Sequence, residues 1–283
     1  PEDQDRFTVT VPEDSEYDGQ NHRNTPVVMD TVSGNTLVEG VDYTLVYPEN
    51  IKDASQAIEV TIQGIGNYSG ERTTTYAITP RPVVLTSGSA AKVYDGQDLQ
   101  NESVTDSAKG FVDGEGVAYS DFAVANAVTE GDGIDNTFTY TWNENTLASN
   151  YSVEVKYGKL KVTTKSIIPD TPETPDEEKT GMTVDTLSAV KYNGEEQKQE
   201  PVITDTKTNV VLGNGKDYRI AYSEDVVNVG QVDVTVTGIG NYEGTFVVSY
   251  HIIPRSVTLT SADASKVYDG SALKNENVAV GED

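Results

Sequence analysis

Four places in the chain set a phenol beside an acid or amide and a glycine: Tyr17-Asp18-Gly19, Tyr94-Asp95-Gly96, Tyr192-Asn193-Gly194 and Tyr268-Asp269-Gly270. A carboxylate next to a phenol can serve general acid-base chemistry. Asn193 argues against that role, because an amide does not take up a proton as a base must. Asp-Gly and Asn-Gly both suit the positive φ of a tight turn, so the motif is read as a hairpin turn with its Tyr packed at a strand end. Gly64-Ile65-Gly66-Asn67-Tyr68-Ser69-Gly70 and Gly238-Ile239-Gly240-Asn241-Tyr242-Glu243-Gly244 have the glycine content of a phosphate loop, but no helical pattern follows either to offer its N-terminus. They too read as hairpins, with Asn67 and Asn241 tolerating a left-handed backbone and Tyr68 and Tyr242 anchoring the turn.

Other chemistry-bearing residues carry weaker signals. Asp113, Glu115, Asp132 and Asp135 lie in glycine-rich acidic loops and are candidate oxygen ligands for calcium, but their spacing does not fit an EF-hand, and solvated loops are the expected reading. His22 and His251 stand opposite Gln197 and Ala77 in the other copy of their repeat, so neither recurs, and no Ser-His-Asp grouping forms around them. Trp142 shares an alternating face with Phe138 and Tyr140, which predicts core packing rather than a sugar platform. No residue set points to catalysis or to a bound cofactor, and a non-enzymatic chain is expected.

The elements that must position these residues are strands. Sixteen Tyr and 24 Gly, with abundant Val and Thr, favour strands and turns, and no stretch sustains a helical period with caps. Alternation is clean at Ile58, Val60 and Ile62, at Val232, Val234 and Val236, and at Tyr151, Val153 and Val155. The chain has no Cys, which removes disulfides and thiolate sites. Its net charge of -26 opposes nucleic-acid and anionic-membrane binding, and no apolar run is long enough to span a bilayer. The start at Pro1 rather than Met fits a piece of a longer protein.

The Tyr-Asp/Asn-Gly motif recurs at intervals of 77, 98 and 76 residues, from Tyr17 to Tyr94 to Tyr192 to Tyr268, which reveals two alternating module types. A modules span residues 1–81 and 181–255. They share Pro26-Val27-Val28 with Pro201-Val202-Ile203, Asp42-Tyr43 with Asp217-Tyr218, and closing Pro-Arg pairs at Pro80-Arg81 and Pro254-Arg255. B modules begin at 82 and 256. Residues 82–165 form a full copy, whereas residues 256–283 hold only the start of one, too short to bury its own core. Residues 166–180, with three Pro and repeated acids, read as an extended semi-rigid linker with nothing to bury. Ser149-Asn150-Tyr151 echoes the Asn-Tyr of the A modules, so A and B are divergent versions of one ancestral unit. Short strands separated by turn signals predict an all-β array of small Ig-like sandwiches, with β-grasp-like modules as the alternative.

These residues resemble repeats of large surface proteins of gut Gram-positive bacteria. In the A module the resemblance rests on Leu37 to Tyr43, Gly64 to Gly70 and Tyr76 to Arg81. The B module, with Lys92-Val93-Tyr94-Asp95-Gly96, Leu99, Asn101, Ser149-Asn150-Tyr151 and Gly158 to Thr163, is similar to the family called YDG or MBG domains. The resemblance implies a secreted, wall-attached, multidomain protein outside the cell, whose modules form a monomeric stalk or an adhesive array. Host glycans, mucin or other surface proteins are the implied partners, with Tyr and Trp as the residues that would stack on sugar. Some adhesin domains of this kind carry Lys-Asn isopeptide bonds beside an acid, and Lys92, Asn150 and Glu154 are the matching set here.

Overall fold

The structure, a computed structural model, describes residues 6–282 and is almost entirely β. The first A module contains β1 (Phe7–Thr10), β2 (Ser15–Glu16), β3 (Val27–Asp30), β4 (Asn35–Thr36), β5 (Tyr43–Val46), β6 (Ser55–Gly64) and β7 (Glu71–Thr79). Two sheets result. One is the antiparallel order β1-β3-β4, and the other is β2-β7-β6-β5, in which only the short β2 runs parallel to its neighbour. Ile58, Val60 and Ile62 on β6 are buried, as the alternation predicted, while Glu59 between them is exposed. Facing side chains from the two sheets, among them Val28, Tyr43 and Tyr76, complete a sandwich-like core.

In the first B module β8 (Arg81–Ser87) starts on the closing Arg of the A module. It is followed by β9 (Ala90–Val93), β10 (Val104–Ala108), β11 (Val117–Ser120), β12 (Ile134–Asp135), β13 (Thr139–Trp142), β14 (Tyr151–Lys156) and β15 (Lys159–Thr163). Strand β8 is central between antiparallel β10 and parallel β14, and β11 pairs with β13. Being covered on both sides, β8 buries Val83 and Leu85 completely.

The second A module repeats the strands of the first and adds one, β23 (Tyr242–Glu243). After β16 (Lys165–Ser166) come β17 (Met182–Val184), β18 (Val190–Lys191), β19 (Ile203–Asp205), β20 (Val210–Val211), β21 (Tyr218–Tyr222), β22 (Gly230–Gly238), β23 (Tyr242–Glu243) and β24 (Thr245–Ile253). Its sheets are β17-β19-β20 and β18-β24-β22-β21, with β18 again the parallel member. Residues 256–282 of the second B segment contribute the hairpin of β25 (Val257–Ser261) and β26 (Val278–Glu282). Its Leu259, Val267 and Tyr268 are exposed, in line with a segment too short to bury a core.

The chain divides into two compact units whose border runs through the first B module. The first unit holds the first A module and the chain on to Ala91, with Leu99–Ala125 and Glu130–Lys161; the second holds Lys92–Asp98, Asn126–Thr129 and everything from Val162 onward. The Tyr94-Asp95-Gly96 loop is therefore grouped with the second A module. The linker also departs from expectation. Ile167 is fully buried, β16 pairs with β23, and Asp170 closes a loop by accepting from the backbone N–H groups of Thr180 (2.9 Å) and Gly181 (2.7 Å). Residues 166–180 are thus not an extended spacer. Ile167 precedes the proline-rich stretch and belongs to a core before the acidic loop begins, whereas Ile168 beside it is exposed.

Candidate functional site: the joints between modules

Tyr17 is 1% exposed, yet much of what covers it comes from the B module of the same unit. Its ring meets Tyr151 edge to face, with centroids 5.5 Å apart at 79°, and its hydroxyl donates to Glu115 Oε1 at 2.6 Å. Tyr151 donates to the other oxygen, Oε2, at 2.7 Å, so one carboxylate clamps two phenols. Burial first, and the Glu115 carboxylate second, raise both phenols above the ordinary tyrosine value, Tyr151 to about 12. Phe111 and Trp142 extend the aromatic cluster around Tyr151. Gly19 sits at φ +80°, and a Cβ there would lie 2.8 Å from Val112 Cγ1, so the motif's glycine is needed both for backbone conformation and for close approach to the next module.

Asn150, buried beside Tyr151, completes the seam. Its Oδ1 accepts from the Ala54 backbone N–H at 2.8 Å and its Nδ2 donates to Asp53 Oδ1 at 2.9 Å. At the edge of the seam Lys109 reaches Glu16 at 2.8 Å, and Arg81 donates to the carbonyls of Lys109 and Gly110.

The second unit contains the same joint built one module later. Tyr94 meets Tyr242 edge to face at 5.7 Å and 81°, and Asn241 Oδ1 accepts from the Val128 backbone N–H at 2.9 Å. The Tyr of a Tyr-Asp-Gly motif therefore docks on the Asn-Tyr of the following module, and that Asn caps a backbone N–H of the module before it. This joint has an additional part. β16 pairs parallel with β23, and Lys165 Nζ lies 2.5 Å from Asp205 Oδ2, both side chains being buried. Ile167 and Tyr94 close a cup whose walls are Met182, Ile203, Leu212, Tyr218, Val236 and Tyr242.

In the first A module the equivalent cup is open. Phe7, Val28, Leu37, Tyr43, Ile62 and Tyr68 line a cavity of about 590 Å³. Tyr68 and Phe7 pack against each other but stay half-buried, whereas Tyr242 and Met182 are buried. Asn67 is exposed and makes no hydrogen bond among the described residues. The buried acid is conserved in place but served differently: Arg6 grips Asp30 through Nε at 3.0 Å and Nη2 at 2.6 Å, which holds its carboxyl far below the usual range.

The four Tyr-Asp/Asn-Gly motifs differ from tight hairpins. Within the motifs Gly19, Gly96, Gly194 and Gly270 have positive φ and the preceding Asp or Asn does not; the first three motifs open a longer loop, and the fourth lies in the long connection between the paired strands β25 and β26. Its acid folds back on the loop, as where Asp95 Oδ1 accepts from Gln97 N at 3.0 Å. Gly64 and Gly238 do sit at hairpins, where a Cβ on either would lie 2.9 Å from the backbone N of Ser69 or Glu243, but the left-handed residue is Gly66 or Gly240, each at φ +65°, and not Asn67 or Asn241 as expected, because the glycine before each Asn takes the turn's strained position.

Glu115 is the phenol clamp, Asp135 pairs with Lys159 at 2.9 Å, and Asp113 and Asp132 are exposed; no group of three or more potential metal ligands forms among the described residues. Lys92 Nζ is held by Asp95 Oδ1 at 2.6 Å and by the carbonyls of Gln97 and Asp98; Asn150 is spent on Asp53 and Ala54; Glu154 pairs with Lys156. Each of the three residues proposed for an isopeptide bond thus has other partners. His22 contacts Asp18 at 2.9 Å, and its backbone carbonyl accepts from the Tyr76 hydroxyl just as that of Gln197 accepts from Tyr250, so what recurs at this position is the backbone contact, not the imidazole. His251 is exposed on β24. Trp142 packs on Tyr140 and Tyr151, as its pattern predicted.

No protein-family model matches the chain, and no curated protein matches it.

Proposed function

We propose that the chain is a structural segment of an extracellular surface protein, in which tandem β modules are coupled stiffly through aromatic joints, without catalysis. One observation carries the reading. The recurring polar and aromatic residues, which are the natural candidates for a site, are consumed in contacts between consecutive modules: Tyr17 on Tyr151 and Tyr94 on Tyr242. A repeat that spends its signature residues on its neighbour is suited to transmitting position and force, since each module fixes the next. The net charge of -26 supports the same reading, because like charge keeps a repetitive β protein soluble and resists edge-to-edge pairing. The resemblance to YDG or MBG repeats agrees with a wall-attached stalk or adhesin. Sugar stacking is less favoured, since Tyr17, Tyr43, Tyr76, Tyr151, Tyr218 and Tyr242 are all buried.

Small-angle scattering on the chain tests this reading. A stalk gives an elongated particle whose maximum dimension, extrapolated to zero protein concentration so that only the single chain is read, is unchanged by salt. A compact particle, or one whose dimension drifts with ionic strength as in a flexibly linked chain, overturns it.

A further inference from the structure

The open cup of the first A module has no role in the two joints described. Its counterpart in the second A module shows what such a cup is for: Tyr94 of the B module and Ile167, which follows that module in the chain, fill it. The chain also displays an unused donor. Lys266-Val267-Tyr268-Asp269-Gly270 repeats Lys92-Val93-Tyr94-Asp95-Gly96 residue for residue, and it is folded the same way. Lys266 Nζ lies 2.8 Å from Asp269 Oδ1, where Lys92 lies 2.6 Å from Asp95. Ser271 N donates to Asp269 Oδ1 at 2.9 Å, where Gln97 N donates to Asp95 Oδ1 at 3.0 Å. The glycines have φ of +79° and +76°. Tyr268 is nevertheless 90% exposed, as is Val267 beside it.

We propose that the cup of the first A module is a seat for a B-type Lys-Val-Tyr-Asp-Gly loop, and that in this chain the occupant is the Lys266–Gly270 loop of a second copy, giving head-to-tail association. Both halves are preformed. The loop already holds the shape that its twin has when docked, so little conformational freedom is lost on binding. The cup already has its walls, and Asp30 already has Arg6, so the incoming module needs to bring no lysine of the kind that Lys165 supplies to Asp205. Asn67 is free to cap a backbone N–H, as Asn150 and Asn241 do. Cup and loop are different surfaces, so the contact is heterologous and each docked copy leaves one cup and one loop open for the next. A charge of -26 on each copy opposes approach, which makes added salt favourable to association, the reverse of a charge-driven contact. This inference goes beyond the stalk reading and does not depend on it.

Sedimentation equilibrium of the 283-residue chain tests it, at about 0.5 M sodium chloride to shorten the screening length and at protein concentrations up to about 1 mM, where contacts of a few kcal/mol become visible. The weight-average mass is expected to rise above 30.5 kDa with concentration, and to rise less at low salt. Tyr268→Ala, on an exposed loop, removes the donor without touching a core, and Tyr68→Ala opens the rim of the cup; each variant alone stays monomeric. Mixing the two restores association but stops it at the pair, because the mixture offers intact cups on one variant and intact loops on the other. A wild-type mass that stays at the monomer value across the range overturns the proposal, as does association that survives Tyr268→Ala or a mixture that fails to pair.

Discussion

Strand for strand, the first and second A modules carry the same two sheets in the same order, and they part company at one end. The second has a finished cup: Met182 and Ile203 are fully buried, Ile167 plugs the centre, and β23 exists as a strand because β16 lies beside it. In the first, Tyr68 and Ser69 occupy the position of β23 but belong to no strand, and their cup holds an open cavity. Both copies supply apolar walls at the same positions, with Phe7, Val28 and Ile62 in place of Met182, Ile203 and Val236. The difference comes from whether a B module precedes the copy in the same compact unit. An A module is thus complete in its sheets but not in its hydrophobic surface, and its neighbour is part of its core.

The contrast is broken most severely at the buried ion pair. Lys165→Met leaves Asp205 buried without its cation, and calorimetric unfolding of the second A module is expected to show a loss of about 4 kcal/mol, in the range for removing one partner of a buried pair. Lys165→Met combined with Asp205→Leu should recover most of it. Arg6→Met should cost clearly less, because the Arg6 side chain is 40% exposed and Asp30 also accepts from the Val32 and Ser33 backbone N–H groups. Equal losses at the two sites would mean that the cups are closed to the same degree.

Next in size is the plug itself. Ile167→Ala removes a fully buried side chain and should cost about 3 kcal/mol through lost transfer free energy and the cavity left behind. Phe7→Ala acts on a half-buried residue at the rim of an open cavity, where solvent can follow the truncation, so its cost should be smaller by at least half, about 1 kcal/mol. Denaturant unfolding of the two variants gives the comparison directly.

The strands and the repeat were legible in the sequence because both rest on local pattern. Ile58, Val60 and Ile62 alternate with polar residues, and Gly64 to Gly70 recurs almost unchanged at Gly238 to Gly244. The joints were not legible. Burial of Tyr17 by its own module and burial by the next give the same pattern in sequence, and nothing local says that Glu115, in a loop with the composition of a cation site, faces two phenols. One signal was available in retrospect: every Tyr-Asp-Gly with a full module after it is followed by an Asn-Tyr, in strict alternation. Burial of Ile167 is hidden in the sequence for a related reason: three prolines dominate the local pattern of residues 166–180, and the residues that bury Ile167 lie from Met182 to Tyr242.

The two joints also differ in how the docked tyrosine is held. Tyr17 donates a hydrogen bond to a carboxylate, while the Tyr94 hydroxyl makes no hydrogen bond among the described residues and is held by ring contact alone. Tyr17→Phe should therefore destabilise its joint by about 2 kcal/mol, the range for a hydrogen bond to a charged group, whereas Tyr94→Phe should be close to neutral. Trp142, stacked on Tyr151 at 5.9 Å, reports the first joint by fluorescence. A loss on Tyr94→Phe as large as that on Tyr17→Phe would erase the distinction.

The smallest effect expected is on pH. Tyr17 and Tyr151 have folded values above the ordinary tyrosine value of about 10, so between pH 10 and about 12 the folded chain retains phenolic protons that the unfolded chain has lost. Their contribution is fully present below the unfolded value and declines as pH rises toward the folded one, so the first joint should weaken in alkali and not in mild acid. At pH 10.5 the loss should stay below about 1 kcal/mol for each phenol, less where solvent screens it. Hydrogen exchange at the Val112 and Ala54 amides, both bonded across or beside the seam, would register it as faster opening. Glu115→Gln removes the charge near both phenols but leaves their burial, the larger cause, in place. Most of the alkaline sensitivity should therefore survive that substitution, and if it vanished, the carboxylate rather than burial would be what holds the protons at this joint.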